Sequence, residues 1–411
     1  MTETLPSTVD VLVAGAGVAG TATAILLAKG GLSVVLLDRC NDIEDYKSLC
    51  THFVQPVANS VFADLGLSRL LEPAYSVRTK AAFLVPGGSI DTDGGYGDDP
   101  VTAYAHNIER RVFDPELRRE ALACGVTLAM NSSVRALQKT PDGFSAEIVS
   151  AYDDTTRLTC RFAVAADGRA SALGRLLGAP VQSHPNDRAA YFCYCTGIDA
   201  PRDNKSIFAL HGNEMAFLYP QIEGRTLLSI YVKHERLAQI GQDGDMFAFI
   251  LEQMKTHLPD VDFSNATLDG RVYGYKKYDN QLRPPVTAQM AFVGDASISI
   301  DPMSGVGCSF ALKSARLLAD AILAQPGSPT EALDAYAASH QQFFPAHCDG
   351  IIADSRVAKT DRAVGETYRY ILADEQLQRR YLVLTARLIT PAQFQKSYLL
   401  SVARRRSSVS L

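Results

Sequence analysis

Tryptophan is absent from the 411 residues, so no motif built on an indole ring is present. Long apolar runs are missing too, since none approaches the ~18 uncharged residues that a bilayer-crossing helix needs. The opening MTETLPSTVD lacks the basic-then-apolar order of a secretory signal, and a cytoplasmic protein is expected. Eight cysteines are scattered without a single CxxC pair. Cys193 and Cys195, two apart in a predicted strand, face the same way and make no zinc clamp by themselves. All eight are read as reduced, mostly buried thiols, and no metal site is expected. Positive charge is scarce as well: the formal net charge is −5, and the one basic cluster, Arg404, Arg405 and Arg406, sits in a Ser-rich tail read as a solvated terminus. A nucleic-acid partner is excluded on that balance, because phosphate contacts demand a basic face.

With 47% apolar and 21% charged residues, the composition is that of an ordinary globular enzyme. The length suits two or three domains of ~100–150 residues each.

The stretch TVDVLVAGAGVAGTATAILLAKGGLSVVLLDR carries the first chemical signal. Residues 9–13 read as a buried strand, 21–29 as a helix ended by Gly30 and Gly31, and 33–37 as a second strand closed by Asp38. Gly15-x-Gly17-x-x-Gly20 joins the first strand to the helix. In such a turn the first glycine bends the chain, the second lets a pyrophosphate approach the backbone, and the third lets helix and strand lie close. Asp38, 18 residues beyond Gly20, stands where an adenosine ribose hydroxyl would be bound.

A second signal lies in AFVGDASISIDPMSGVGCSFALKSARLLADAI. Residues 291–293 read as a short strand and 309–322 as a core-facing helix. Between them Gly294-Asp295, Pro302, Gly305 and Gly307 build a loop that presents a helix N-terminus, whose free N–H groups attract negative charge. A third strand with a carboxylate at its end is read in RFAVAADGRASALGRLLG, finishing in Asp167-Gly168.

These three signals, in this order, resemble the FAD-dependent aromatic hydroxylases of the para-hydroxybenzoate hydroxylase type, single-component flavin monooxygenases related to geranylgeranyl reductases and flavin-dependent halogenases. The likeness spans residues 8–75, 100–185 and 285–330. It implies that Gly15, Gly17, Val18, Ala19 and Gly20 hold the FAD pyrophosphate and Asp38 the ribose, with Arg39 near the same end. In NIERRVFDPELRREALACGV it implies that Arg110, with Arg111 as the alternative, reaches the cofactor phosphates. Asp167 and Gly168 match a motif that touches FAD and NAD(P)H, Gly294 and Asp295 one that meets the ribityl chain. Pro302, Gly305, Val306 and Gly307 match the segment that abuts the N1–C2=O edge of the flavin, where backbone N–H groups would stabilise the anion of the reduced ring.

The fold class implied is α/β: a Rossmann-like FAD-binding domain, a mixed or antiparallel-sheet substrate domain and a helical C-terminal region. The FAD-binding parts are 1–75, 100–188 and 285–330. Substrate-sheet parts are 76–99 and 189–284, where aromatic and β-branched runs alternate with Gly/Asn/Asp turns. Gly94, Gly95 and Gly97 have no strand–helix frame and read as a flexible linker or lid. Residues 331–411 look helical, with packing on the FAD domain as their expected role.

No second GxGxxG follows a strand, so NADH or NADPH would dock transiently or a partner flavin reductase would supply electrons. The resemblance implies that reduced FAD and O₂ form a C4a-hydroperoxide that hydroxylates or epoxidises an aromatic or polyketide-like molecule, in secondary metabolism or aromatic catabolism. Reduction of prenyl or polyketide double bonds is the alternative. Halogenation is a lesser one, since that branch carries a Trp-x-Trp-x-Ile-Pro signature and the chain has no tryptophan; Lys47 and Lys80 are the amines it would draw on. A non-enzymatic, FAD-braced binding module is the rival from another class. Cavity-wall candidates are His52, Gln55, Tyr191, Tyr194, His211, Phe217 and Tyr219, with His52, Tyr219 and His211 the catalytic candidates and none singled out as acid or base. A monomer or homodimer is expected.

Overall fold

The computed structural model describes residues 5–91, 95–97, 99–150, 154–199, 203–237 and 244–409, the last four by their backbone alone. Gly94 of the predicted lid therefore lies outside the described residues, as does the side chain of Arg406.

A mixed sheet forms the base. Its parallel strands run in the order Met290–Phe292, Thr155–Ala165, Thr8–Ala14, Val34–Leu37 and Thr127–Ala129. Both faces are covered, which is why the first strand reads as an unbroken apolar run. Val11 and Val13 face the helices Val18–Lys29, Arg110–Ala123 and Gly307–Ala324. Leu12 and Ala14 face the other way, into a cluster with Phe144, Ile148 and Leu158 from the antiparallel extension Ser132–Thr140, Gly143–Ser150 and Thr155–Ala165.

A seven-stranded sheet stands on this base, ordered Thr267–Tyr275, Arg188–Thr196, Thr226–Lys233, Glu214–Pro220, Ser206–His211, Ala81–Val85 and Gly88–Ile90. All its pairings are antiparallel except that between Ser206–His211 and Ala81–Val85. The period-2 alternation of a strand sorts its side chains. Ala216 and Leu218 face the helix Met246–His257, whereas Phe217 and Tyr219 join Phe83, Phe192 and Phe208 on the opposite face. Cys193 and Cys195 do share a face, with sulfurs 3.7 Å apart.

The C-terminal helices divide their packing. Pro329–Ser355 lies on Gly307–Ala324 through Phe310 and Phe344. Asp361–Leu372 and Glu375–Thr385 instead lay Ile371, Leu377 and Leu382 on the aromatic face of the second sheet. Packing on the FAD domain is thus only part of their role, because that aromatic face would otherwise be bare.

Arg188 ties these layers together. Its guanidinium, from the second sheet, is 2.8 Å from Asp301 at the mouth of Gly307–Ala324 and 3.1 Å from Asp354 on Pro329–Ser355. No helix among the described residues is long and apolar enough to cross a membrane.

Three of the buried histidines are held neutral by their burial. Burial pushes His106, His340 and His347 down to about 4, with Arg78 adding to the effect at His106 and Arg387 at His347. An unfolded histidine takes up its proton near pH 6.5. Between pH 6.5 and 4 the unfolded chain therefore binds more protons than the native one, and stability falls as the pH is lowered through this window. Urea unfolding at pH 7 and pH 5 should show a loss of roughly 1–2 kcal/mol per histidine, reduced in the His340→Phe variant; equal stabilities would contradict this burial.

Candidate functional site

Two helix starts converge on one end of the parallel strands. Gly15, at φ 109°, turns the chain beneath Ala166, and a Cβ on it would collide with the Ala166 carbonyl. Gly20 packs so tightly that a Cβ there would strike the carbonyl oxygen of Gly15. Gly17 differs: its backbone is extended, and a Cβ would meet nothing within 4 Å. The turn is thus closed at Gly15 and Gly20 and open where a phosphate would approach.

Gly15, Gly17, Asp38, Arg39, Asp167 and Gly168 all border one cleft of about 210 Å³. Asp38 accepts from the N–H of Ala16 at 2.5 Å and of Cys40 at 2.8 Å, so the predicted ribose ligand also fastens the turn. Asp167 accepts from the Ser171 hydroxyl at 2.7 Å and the Leu173 N–H at 3.0 Å, which starts the helix Ala172–Leu176. Val18 and Ala19 are the buried first residues of Val18–Lys29.

Arg110 is held by an ion pair on its own helix. Its guanidinium grips Asp114 through Nε at 2.5 Å and Nη2 at 2.7 Å, both groups buried. Arg111 pairs with Glu109 and Glu223. The arginine at the glycine turn is Arg118, 2% exposed, which donates to the carbonyls of Ala16, Ile43 and Asp45. Nothing in the sequence sets Arg118 apart from the arginines beside it.

At the second helix start, Asp295 lies 2.8 Å from Lys47 Nζ, and this carboxylate is the main reason the lysine's pKa is raised. Lys80 does not border the cleft at the glycine turn. Pro302–Ser304 makes a single tight turn, Gly305 follows at φ 61°, and Gly307–Ala324 begins after Val306. A Cβ at Gly305 would face the Gln55 amide and the Phe53 ring; one at Gly307 would meet nothing within 4 Å. Neither Val18–Lys29 nor Gly307–Ala324 has a side-chain cap or an acidic residue in its first turn. By contrast Ala172–Leu176, Met246–His257, Asp361–Leu372 and Glu375–Thr385 are capped by Ser171, Asp245, Thr360 and Asp374. Asn59–Leu65 and Arg110–Ala123 are uncapped as well, so it is the open backbone at Gly17 and Gly307, where a Cβ would meet nothing within 4 Å, that leaves these two starts room for a ligand to supply the acceptors.

Cys50 and Cys308 meet near this start, sulfur to sulfur at 3.8 Å. The Cys50 thiol is held low by its contacts with Cys308 and His52, against the cost of burial, while Cys308 is pushed up by Cys50 and by burial. Their separation in sequence hid this pairing.

His52 is buried at φ 64°. Its Nδ1 accepts the Arg110 N–H at 2.9 Å, so the ring proton sits on Nε2, directed at the Tyr194 hydroxyl. The Tyr194 ring in turn carries the Arg225 guanidinium 4.3 Å from its centroid. The structure does not bring the other two catalytic candidates to His52. Tyr219 is wholly buried behind Phe53, its hydroxyl without a partner, and His211 packs edge-on to His257. Phe217 is also wholly buried, and Tyr191 lies toward the opposite face of the sheet.

Beside the Pro302 turn opens a larger cavity of about 390 Å³, within the usual range for a small-molecule site. Phe53, Gln55, Phe83 and Phe208 wall one side, Met303 and Ser304 the floor, and Tyr368 and Tyr381 of the C-terminal helices the other. Tyr96, 2% exposed and bonded through its N–H to the Ala103 carbonyl at 2.9 Å, also lines it, so that part of the predicted lid is anchored.

Residues 8–349 match the FAD binding domain family. The chain belongs to that family. It is 24% identical over 320 residues to a digeranylgeranylglycerophospholipid reductase of Methanococcus vannielii, covering 75% of each chain. In fold it is similar to the flavin-dependent brominase Bmp2, at 18% identity and TM-score 0.74, over 97% of this chain and 100% of that one. It is also similar to PqsL of P. aeruginosa, crystallised with 2-aminobenzoylacetate, at 20% identity and TM-score 0.67, over 91% and 99%. Family and fold together place the chain among FAD-dependent oxidoreductases of the aromatic hydroxylase-type superfamily.

The glycine turn yields a paired test. Gly17→Ala fills only open space, so it should keep the thermal midpoint within about 2 °C while weakening FAD binding at least ~10-fold. Gly20→Ala should lower the midpoint by ~5 °C or more, since it forces helix and strand apart. A Gly17→Ala protein that binds FAD like wild type contradicts the assignment of the cleft.

Proposed function

We propose that this FAD-dependent oxidoreductase is a monooxygenase that hydroxylates or epoxidises an aromatic or polyketide-like molecule held in the 390 Å³ cavity. The observation that carries the reading is the junction of that aromatic chamber with the Pro302–Ser304 turn, where an uncapped helix begins. FAD, when bound, supplies the activation of O₂, with NADH or NADPH as the reductant. The remaining work falls to the chain. Gly15, Gly17, Val18, Ala19, Gly20, Asp38 and Arg39 would hold the pyrophosphate and ribose end, with Asp167 and Gly168 beside them. Asp295 would meet the ribityl chain after turning from Lys47, and Gly294, Pro302, Gly305, Val306 and Gly307 would bring backbone to the flat ring. The first N–H groups of Gly307–Ala324, aligned with its dipole, would stabilise negative charge at the ring's edge without a mobile cation. Phe53, Phe83, Phe208 and Tyr381 give the chamber an apolar wall for the body of a substrate. His52 holds its proton on Nε2 toward Tyr194, a buried donor pair that positions the loop after the second strand.

A second reading, reduction of a prenyl or polyketide double bond, is favoured by the reductase of M. vannielii among the relatives. Product mass separates the two. Incubation of the FAD-loaded protein with NADH or NADPH, O₂ and a panel of phenols and polyketides should give a product heavier by one oxygen atom. A gain of two hydrogens, undiminished when O₂ is removed, would establish the reductase instead.

A further inference from the structure

The large cavity contains a charge that the protein does not match. Five ionisable side chains of fixed sign line it: Arg188, Asp301, Asp354, Lys359 and Arg387. Arg188 is met by Asp301 at 2.8 Å and Asp354 at 3.1 Å, and Lys359 stands 3.7 Å from the other oxygen of Asp354. Two cations and two carboxylates thus cancel, and Arg387 is left over. Among the described residues no carboxylate comes within 4.0 Å of it. Among the same residues its hydrogen-bond partner is the Ser304 carbonyl, which accepts from Nη2 at 3.2 Å, and its buried Nε has none.

The neighbours of Arg387 do not supply the missing charge. Tyr381 and Cys348 have their pKa values pushed up by burial and stay neutral, His347 is held neutral, and Asp354 is engaged by Arg188. His347 is 2% exposed, lines the same cavity and leaves Nδ1 unpaired. Taking the guanidinium out of water with no bound carboxylate pushes its pKa down to about 10. Such a group gains most from an anion that enters with the ligand.

We propose that the cavity takes substrates bearing a carboxylate and that Arg387 binds that group, beside the Ser304 carbonyl, while Phe83 and Phe208 receive the apolar body. This rests on the cavity being the substrate chamber of the flavoenzyme described above. Arg387 lies at φ 64° in the turn that follows Glu375–Thr385, so the C-terminal helices contribute specificity as well as cover.

Calorimetric titration of the FAD-loaded protein at pH 7.5 with 6-hydroxy-2-naphthoate and its neutral amide, 6-hydroxy-2-naphthamide, tests this directly. The carboxylate should bind at least ~10-fold more tightly, as a charge-assisted hydrogen bond implies. Arg387→Met should abolish the preference while changing amide affinity less than ~3-fold, and Arg387→Lys should restore part of it. Equal affinities in the wild type, or a preference that survives Arg387→Met, would overturn the proposal; the wild-type ratio decides even if a variant does not fold. Loaded protein that turns over NAD(P)H but shows no preference sinks this inference and spares the flavoenzyme reading. Protein that keeps the preference yet cannot take up FAD does the reverse.

Discussion

The close approach of two helices to one sheet edge, with glycine backbone instead of side chains at the contacts, is the constraint from which the rest of the structure follows. Gly20 lies against the carbonyl of Gly15, and Gly294 lies against Ala19 where any Cβ would crowd it. Val18–Lys29 and Gly307–Ala324 therefore start side by side over the strands Thr8–Ala14, Thr155–Ala165 and Met290–Phe292. Their dipoles point positive ends at a shared space. A long, flat and partly anionic ligand is the kind of molecule that satisfies both at once.

The second sheet is useful only because it is fastened to that frame. Arg188 reaches from the sheet to Asp301 at the mouth of Gly307–Ala324, both groups almost fully buried. Such a pair contributes little net stability, since desolvation of the two charges offsets their attraction. It does fix where the aromatic wall stands relative to the Pro302 turn. The same residue touches Asp354, so the long helix Pro329–Ser355 is held in the same register.

Much of this was legible because the relevant signals are local. Gly15-x-Gly17-x-x-Gly20 between an apolar strand and a helix, and Gly294-Asp295 before the second helix, are dictated by backbone geometry over a few residues. Strand Thr267–Tyr275 was not legible: Gly270, Gly274 and Arg271 interrupt its pattern, and Gly274 is there so that the Tyr191 ring can lie against the backbone. Long-range partners were hidden as well. Asp114 as the mate of Arg110, Arg118 at the glycine turn, Cys308 beside Cys50 and Arg387 in the cavity all join residues whose order along the chain says nothing of their meeting. Tyr219 shows the opposite error, an aromatic residue in the right strand that turns out to lie wholly behind the wall it was expected to form.

A crystal structure of the protein reconstituted with FAD is the most direct measurement of the central claim, that the starts of Val18–Lys29 and Gly307–Ala324 serve one cofactor. The pyrophosphate should lie over Gly17, and the pyrimidine edge of the flavin should accept a hydrogen bond of ~3 Å from the first N–H groups of Gly307–Ala324. A flavin lodged elsewhere, or one whose dimethylbenzene edge faces those amides, would contradict it.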